Sequence, residues 1–340
     1  MKKRVSLKDI AQKVGVSIAL VSYVLNDQKL DRISKSMALK IRETAQELNY
    51  KTNHIARSLK TNKTHTIGLI VADISNSFSS TLARIIEDEA EQYGYTVIFC
   101  SSDESAERSQ KLINVLLNHQ VDGLIIAPTI DAEHQLKQLI EGEVPVVLVD
   151  RYYDDIPLSY IAIDNASASR TLTGHLIKNG HKRIGLITYD TKLNNLEDRT
   201  RGYCSSLIEN GFVVDEKLIK KVSLQHVETE VEQAIDVLLA PPQPVDSILF
   251  AANTLSLIGL KHIVNLNIKV PGDLAIVAFD QTDAADLFYA PVTYIRQPLK
   301  QMGKLAIDTL MELIDHKEKL VQVKLKAELV IRKSSGSLSD

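Results

Sequence analysis

Short apolar runs in this chain repeatedly end on polar residues able to hold a ligand. Residues 67–71 lead to Ser75-Asn76-Ser77-Phe78, residues 96–100 to Asp103, and residues 146–149 to Asp150-Arg151. Residues 247–250 lead to Ala252-Asn253 and residues 274–279 to Asp280, while Arg199 lies in a polar stretch, Asp198-Arg199-Thr200-Arg201-Gly202-Tyr203. The chemistry on offer is hydrogen bonding: carboxylates, amides and guanidiniums beside an aromatic such as Phe78 pair donors and acceptors with the hydroxyls of a polyhydroxylated ligand. Catalysis and metal binding are not indicated. No nucleophile–base or paired-carboxylate arrangement stands at these positions, and His175, His181 and His262 lack metal spacing and read as structural. Gly68 and Gly185 lie inside apolar runs, so neither belongs to a Walker or GxGxxG phosphate loop. No cofactor is expected.

The elements that position these residues are legible from periodicity. Continuous apolar runs at 67–71, 96–100, 123–126 and 146–149 read as parallel strands covered on both faces, with helices through 82–86 and 112–117 between them. The pattern recurs after Asp164-Asn165, with strands at 183–187, 247–250 and 274–279. Two doubly wound α/β halves in series bring their ligand loops to the carboxyl ends of the strands, and halves set face to face would make those loops converge on a cleft.

The first 60 residues follow a different period. Ser6 is a fitting helix cap with Asp9 at the third helical position, and Leu7, Ile10, Ala11 and Val14 form one apolar face. Gly15 ends this helix and Ser17 caps the next, in which Leu20, Val21, Val24 and Leu25 face inward. Ile18, Ala19, Ser22 and Tyr23 are left outside. A third helix follows Ser34, burying Ile41, Ala45 and Leu48, and Asn53 can cap a further short run to Lys60. A helix, a tight glycine turn and a second capped helix make the helix-turn-helix pattern.

Taken together, Val5-Ser6-Leu7-Lys8-Asp9-Ile10-Ala11, Gly15-Val16-Ser17, Val21-Ser22, Leu25-Asn26, Glu47-Leu48-Asn49-Tyr50 and Ile55-Ala56-Arg57-Ser58-Leu59 resemble the lactose/galactose repressor (LacI/GalR) family. The resemblance extends over nearly the whole chain, the body being similar to the family's periplasmic-binding-protein-like sensor. It implies a ligand-responsive transcriptional regulator, a repressor in the first instance, that binds a palindromic double-stranded operator as a homodimer. In the family, side chains matching Ile18, Ala19 and Tyr23 read bases, while Ser6, Ser17, Ser22 and Asn26 hold phosphates. Ile18 and Ala19 cannot make bidentate hydrogen bonds, so discrimination there rests on thymine methyls and on Tyr23. Asn53, Ala56 and Leu59 fall in a hinge helix too short to be stable alone, and Leu59 takes the place of the family's minor-groove wedge. The plain alternative is a Leu59 that packs the linker against the body.

The resemblance assigns Asn76, Phe78, Asp103, Asp150, Arg151, Arg199, Asn253 and Asp280 to the effector cleft, with a sugar or sugar derivative as effector. Asp164 and Asn165 either join that cleft or brace a crossover. Thr254 stands where the family commonly places Asp. The implied organisation is a helix-turn-helix domain at 1–52, a hinge helix and linker at 53–64, and an effector domain at 65–333, followed by a polar tail at 334–340. The amino-terminal lobe comprises 65–163 and 294–321 and the carboxyl-terminal lobe 164–293 and 322–333, with crossings near Asp164, Thr293 and Val321. Other readings are a purine-corepressed regulator and a sugar-binding protein without a regulatory role.

Bulk properties agree with a basic reader on an acidic sensor. The chain has 340 residues, enough for more than one domain, and a net charge of −3. Residues 1–64 carry 14 Lys+Arg against 5 Asp+Glu, leaving 26 against 38 in the remainder, so only the first part suits a polyanion. Cys100 and Cys204 lie far apart and read as free thiols. A basic start without a following apolar segment, and no run long enough to span a bilayer, lead to the expectation of a cytoplasmic protein without a membrane partner. The tail lacks leucine heptads, which favours a dimer over a tail-bundled tetramer.

Overall fold

A computed structural model describes residues 5–50, 63–315 and 319–336. Two compact units divide between Thr64 and His65.

In the first unit three helices, Leu7–Val14, Ile18–Leu25 and Lys35–Glu47, enclose a core of Ile10, Val21, Val24 and Ile41. Their ends are set locally. The Asp9 carboxylate accepts from the Ser6 backbone N–H at 2.8 Å and its hydroxyl at 2.7 Å, which ties down the first turn. Gly15, at φ 81, closes the first helix in a conformation that a side chain resists. The hydroxyls of Ser17 and Ser34 accept from Leu20 and Met37 N–H groups at 3.2 and 3.3 Å. Leu48, expected on the buried face, is half-buried at the end of its helix.

The second unit is built on two six-stranded sheets. Strands β1 (Thr66–Val71), β2 (Thr96–Ser101), β3 (Gly123–Ile126), β4 (Val146–Val149), β5 (Ser159–Ile163) and β11 (Gln322–Leu325) form the first, in the order β11-β5-β4-β3-β1-β2. The second holds β6 (Ile184–Tyr189), β7 (Ile219–Val222), β8 (Ser247–Phe250), β9 (Ala275–Phe279), β10 (Thr293–Arg296) and β12 (Glu328–Val330), in the order β12-β10-β9-β8-β6-β7. Every pairing is parallel except β10 with β12. Helices cover the sheets, and the central strands β3, β4, β8 and β9 are buried along their whole length.

Some expectations need correction. β2 is not covered on both faces: it is an edge strand, with Ile98 37% and Phe99 55% exposed. Thr293 lies inside a strand of the second sheet, so the chain changes lobe after Arg296 rather than near Thr293. Gln322–Leu325 belongs to the first sheet, which moves the last crossing from Val321 to beyond Leu325. The segment after 333 does not begin as a free tail. Ser334 and Ser335 are buried, and the Ser334 hydroxyl accepts from Thr293 N–H at 2.8 Å and donates to the Ile276 carbonyl at 2.5 Å. Among the described residues no helix is long and apolar enough to cross a membrane.

Candidate functional site

Residues following the strands of both sheets line one cavity of about 240 Å3. Asn76, Phe78, Asp150, Arg151, Arg199, Asn253 and Asp280 are all on its wall. Asp103 is not. It is exposed, bonded to the Ser101 hydroxyl at 2.6 Å and paired with Arg108, and its neighbour Glu104 lines the cavity in its place. Asp103 and Glu104 both have positive φ, 50° and 58°, so the chain turns tightly after β2. The sequence showed a carboxylate here but not which of the two adjacent ones faces in. Tyr189, Asn195 and Gln297 also line the cavity without having been expected there. Tyr189 ends an apolar strand, and Asn195 and Gln297 lie outside the runs that periodicity marks.

Two aspartates occupy matching places in the two lobes. Asp150 directly follows β4 with φ 66 and Asp280 directly follows β9 with φ 71. Each donates its backbone N–H at 3.0 Å to the neighbouring strand, Asp150 to Ile161 and Asp280 to Ile295. The left-handed conformation is uncommon for residues with a Cβ and concentrates at functional sites. Asp150 is buried and Asp280 half-buried, and this desolvation raises their pKa values; the positive charges of Arg151 and Arg199 oppose the rise at Asp150 and that of Arg199 the rise at Asp280.

Arg199 projects from the helix Asn194–Glu209 and is itself 3% exposed. Its Nε donates to the Asn165 amide oxygen at 2.8 Å and its Nη1 to the Ala251 carbonyl at 2.6 Å, while the guanidinium lies 4.0 Å from the Phe279 ring centroid. Burial lowers its pKa, and Asp280 and Asp150 counter that. Asn165 therefore supports Arg199, whereas Asp164 caps the helix Asn165–Lys178 by accepting from Ser167 N–H at 2.9 Å. Of the polar stretch around Arg199, Asp198 pairs with Arg201, and Tyr203 is fully buried with its hydroxyl on the Ile184 carbonyl at 2.7 Å. Burial would lower Arg151 as well, but the carboxylates of Glu104 and Asp150 raise it. Burial pushes the Tyr189 hydroxyl up to about 12.

The two lobes touch through this wall. Asn76 donates to Asn253 at 3.0 Å and receives a bond back at 2.7 Å, while the Asn76 amide oxygen also caps the helix Ser77–Gln92 through Phe78 N–H. Asn195 reaches across to Asp150 at 3.4 Å. A small molecule placed here competes for groups that also hold the lobes together.

In the first unit the helix Ile18–Leu25 presents Ile18, 48% exposed, and Ala19, with Ser22 and Tyr23 half-buried beside them. Ser17 accepts from Leu20 N–H, which leaves its hydroxyl proton free to donate. Asn26 donates to the Ser22 carbonyl at 2.7 Å, and the Ser6 hydroxyl donates to Asp9. Lys29, in the loop after this helix, lies 4.7 Å from the Tyr23 ring centroid and adds a cation beside the expected reading face. Asn53, Ala56 and Leu59 lie outside the described residues.

The histidines have structural partners: His175 with Ser335 at 2.8 Å, His181 with the Gly336 carbonyl at 2.9 Å, and His262 with Asp236 at 2.8 Å. Among the described residues no cluster of His, Cys, Asp or Glu could hold a metal ion, and both cysteines are free.

Comparison with known proteins matches the two units separately. Residues 6–53 match the family model described as bacterial regulatory proteins, lacI family, and residues 64–333 the model described as periplasmic binding proteins and sugar binding domain of LacI family. The HTH-type transcriptional regulator RegA of Clostridium saccharobutylicum is 34% identical over 92% of this chain and 93% of that protein. The HTH-type transcriptional repressor PurR of Photobacterium profundum is 30% identical over 98% of this chain and 99% of its own length. In fold, the lac repressor dimer bound to operator and an anti-inducer superposes with a TM-score of 0.85 at 23% identity, covering 98% of this chain and 100% of that one.

Proposed function

The chain belongs to the LacI family of bacterial transcription regulators, and on that premise we propose that it is a cytoplasmic repressor controlled by a small sugar. Two copies bind a palindromic operator, one helix Ile18–Leu25 entering each major groove. Ser6, Ser17, Ser22 and Asn26 hold phosphates, Ile18, Ala19 and Tyr23 meet base edges, and Asn53, Ala56 and Leu59 engage the minor groove. The effector occupies the cavity lined by Asn76, Phe78, Asp150, Arg151, Arg199, Asn253 and Asp280.

The observation that carries this reading is the pair of amide bonds between Asn76 and Asn253 on the wall of the cavity. A ligand that replaces those bonds binds one arrangement of the lobes more tightly than another. Only such a difference in affinity can shift an equilibrium between them. A sugar suits the wall, because Asp150, Arg199, Asn253 and Asp280 pair donors with acceptors as hydroxyls require. The family model that residues 64–333 match is described as periplasmic binding proteins and sugar binding domain of LacI family, which supports a sugar.

Thermal-shift screening of the full-length protein against sugars, sugar phosphates and purines, followed by operator binding with each hit, tests the reading. A sugar that raises the melting midpoint and changes operator affinity is the expected result. Stabilisation by purines alone would replace the sugar, and a hit without effect on DNA binding would remove the coupling.

A further inference from the structure

We propose that Glu104 sets the ligand class of the cavity by closing off Arg151, so that the site selects uncharged polyhydroxylated molecules and refuses phosphorylated or carboxylated ones. This rests on the effector reading of the cavity given above. Arg151 is the group on the wall best suited to an anion, since a guanidinium takes a phosphate or carboxylate through two parallel N–H bonds. That face is already taken. Glu104 accepts from Nη2 at 2.6 Å and from Nη1 at 2.7 Å, and the pair is largely out of solvent, with side-chain exposures of 11% and 21%. Nη1 also approaches the Pro128 carbonyl at 3.4 Å, and Asp150 lies 3.4 Å from Nε.

The second cation, Arg199, has its Nε and Nη1 held by Asn165 and Ala251 and stands near the Asp150 and Asp280 carboxylates. The charged wall residues are Asp73, Glu104, Asp150 and Asp280 against Arg151 and Arg199, a formal excess of carboxylate. An anion entering this space meets repulsion from the carboxylates and finds the Nη1–Nη2 face of Arg151 already taken by Glu104. An uncharged polyol meets acceptors that need its hydroxyl protons.

The backbone is shaped to deliver this carboxylate. Asp103 and Glu104 are consecutive residues with Cβ atoms in the left-handed region, an arrangement disfavoured for such residues. Asp103 is anchored to Ser101 and Arg108 and so holds the turn that brings Glu104 onto Arg151. The sequence neighbour thus has a positioning part rather than a contact with the ligand.

Matched pairs of probes test the proposal on the full-length protein: glucose with glucose 6-phosphate and glucuronate, galactose with galactose 6-phosphate, and ribose with ribose 5-phosphate. Affinities are read by calorimetry for the unmodified protein and for Glu104→Gln, with circular dichroism to check folding. The expected result is no binding of the anionic members by the unmodified protein and a gain of about tenfold or more for at least one of them in Glu104→Gln, as Arg151 becomes free. Glu104→Ala provides a second variant if the glutamine protein does not fold. Preference of the unmodified protein for an anionic member overturns the proposal, as does failure of folded Glu104 variants to gain anion binding. If no neutral sugar binds but the variants gain anions, the sugar reading fails while the part played by Glu104 stands.

Discussion

Arg199 shows how much of the site rests on one planar group. Its Nε and Nη1 bonds to Asn165 and Ala251 fix the guanidinium against Phe279, opposite Asp280. Lysine carries the charge, but its donors radiate from one nitrogen and do not span the two acceptors as the planar fork does, which leaves a buried acceptor unmet. Arg199→Lys is therefore expected to weaken binding of the best sugar from the screen by about 10- to 100-fold, equivalent to roughly 1.4–2.8 kcal/mol. Operator binding without ligand should be unchanged. Calorimetry and a DNA titration on the same preparation check both halves, and equal sugar affinity would take Arg199 out of the site. The residue itself is legible in the sequence as a charged group in a polar helical stretch. Its support is not, because Asn165 and Ala251 are brought to it only by the packing of separate elements. Glu104 is hidden for a related reason: two adjacent acidic residues look alike until backbone angles decide which one turns inward.

At the scale of elements, the helix Asn194–Glu209 carries Arg199 and packs on the helix Asn165–Lys178, which carries Asn165. Gly202 is the point of closest approach. A Cβ there would stand 2.1 Å from the Ala166 carbonyl oxygen, a backbone atom that cannot swing aside. Gly202→Ala should therefore separate the helices at a cost of about 1–3 kcal/mol, lower the melting midpoint by several degrees, and loosen the Arg199–Asn165 bond. Calorimetric melting checks the first effect and sugar titration the second; an unchanged midpoint would contradict the tight packing. A second element, the expected hinge at 53–60, lies outside the described residues and is argued from sequence alone. The sequence leads to the expectation of a helix too short to gain much from propagation, and hence ordered by what it binds. Leu59→Ala is expected to reduce operator affinity and leave sugar affinity intact, and equal operator affinity would remove the wedge reading. Elements differ in how readily the sequence reveals them. Leu7–Val14 is legible because Ser6, Asp9 and Gly15 mark its ends locally. The strand Ser159–Ile163 is less legible because it opens on Ser159 and Tyr160, and the Ser159 hydroxyl accepts from Val321 N–H, far along the chain. Ile219–Val222 carries two lysines, as an outer strand can, and so lacks the apolar run that marks a central one.

For the whole molecule the question is how two heads act together in the proposed dimer. One helix-turn-helix unit has a small footprint, and its attraction for DNA is largely electrostatic, the excess of Lys and Arg in residues 1–64. Binding to random duplex should therefore weaken steeply with salt, with a logarithmic slope near 0.9 per neutralised phosphate. No binding at low salt would sink the regulator reading. Joining two heads makes the second contact intramolecular and can raise affinity about 10²–10⁴-fold without a new contact to DNA. One candidate surface for that join is the edge strand Thr96–Ser101. Ile98 and Phe99 are exposed there, and such an edge invites association unless it is covered or charged. Phe99→Asp places a charge where a partner's apolar surface would lie and changes nothing in the cavity or the head. Sedimentation should then show a monomer, with operator affinity reduced by at least about tenfold as the avidity is lost, while sugar affinity and the salt slope per head persist. A Phe99→Asp protein that still sediments as a dimer and holds its operator as before would place the interface elsewhere on the sensor.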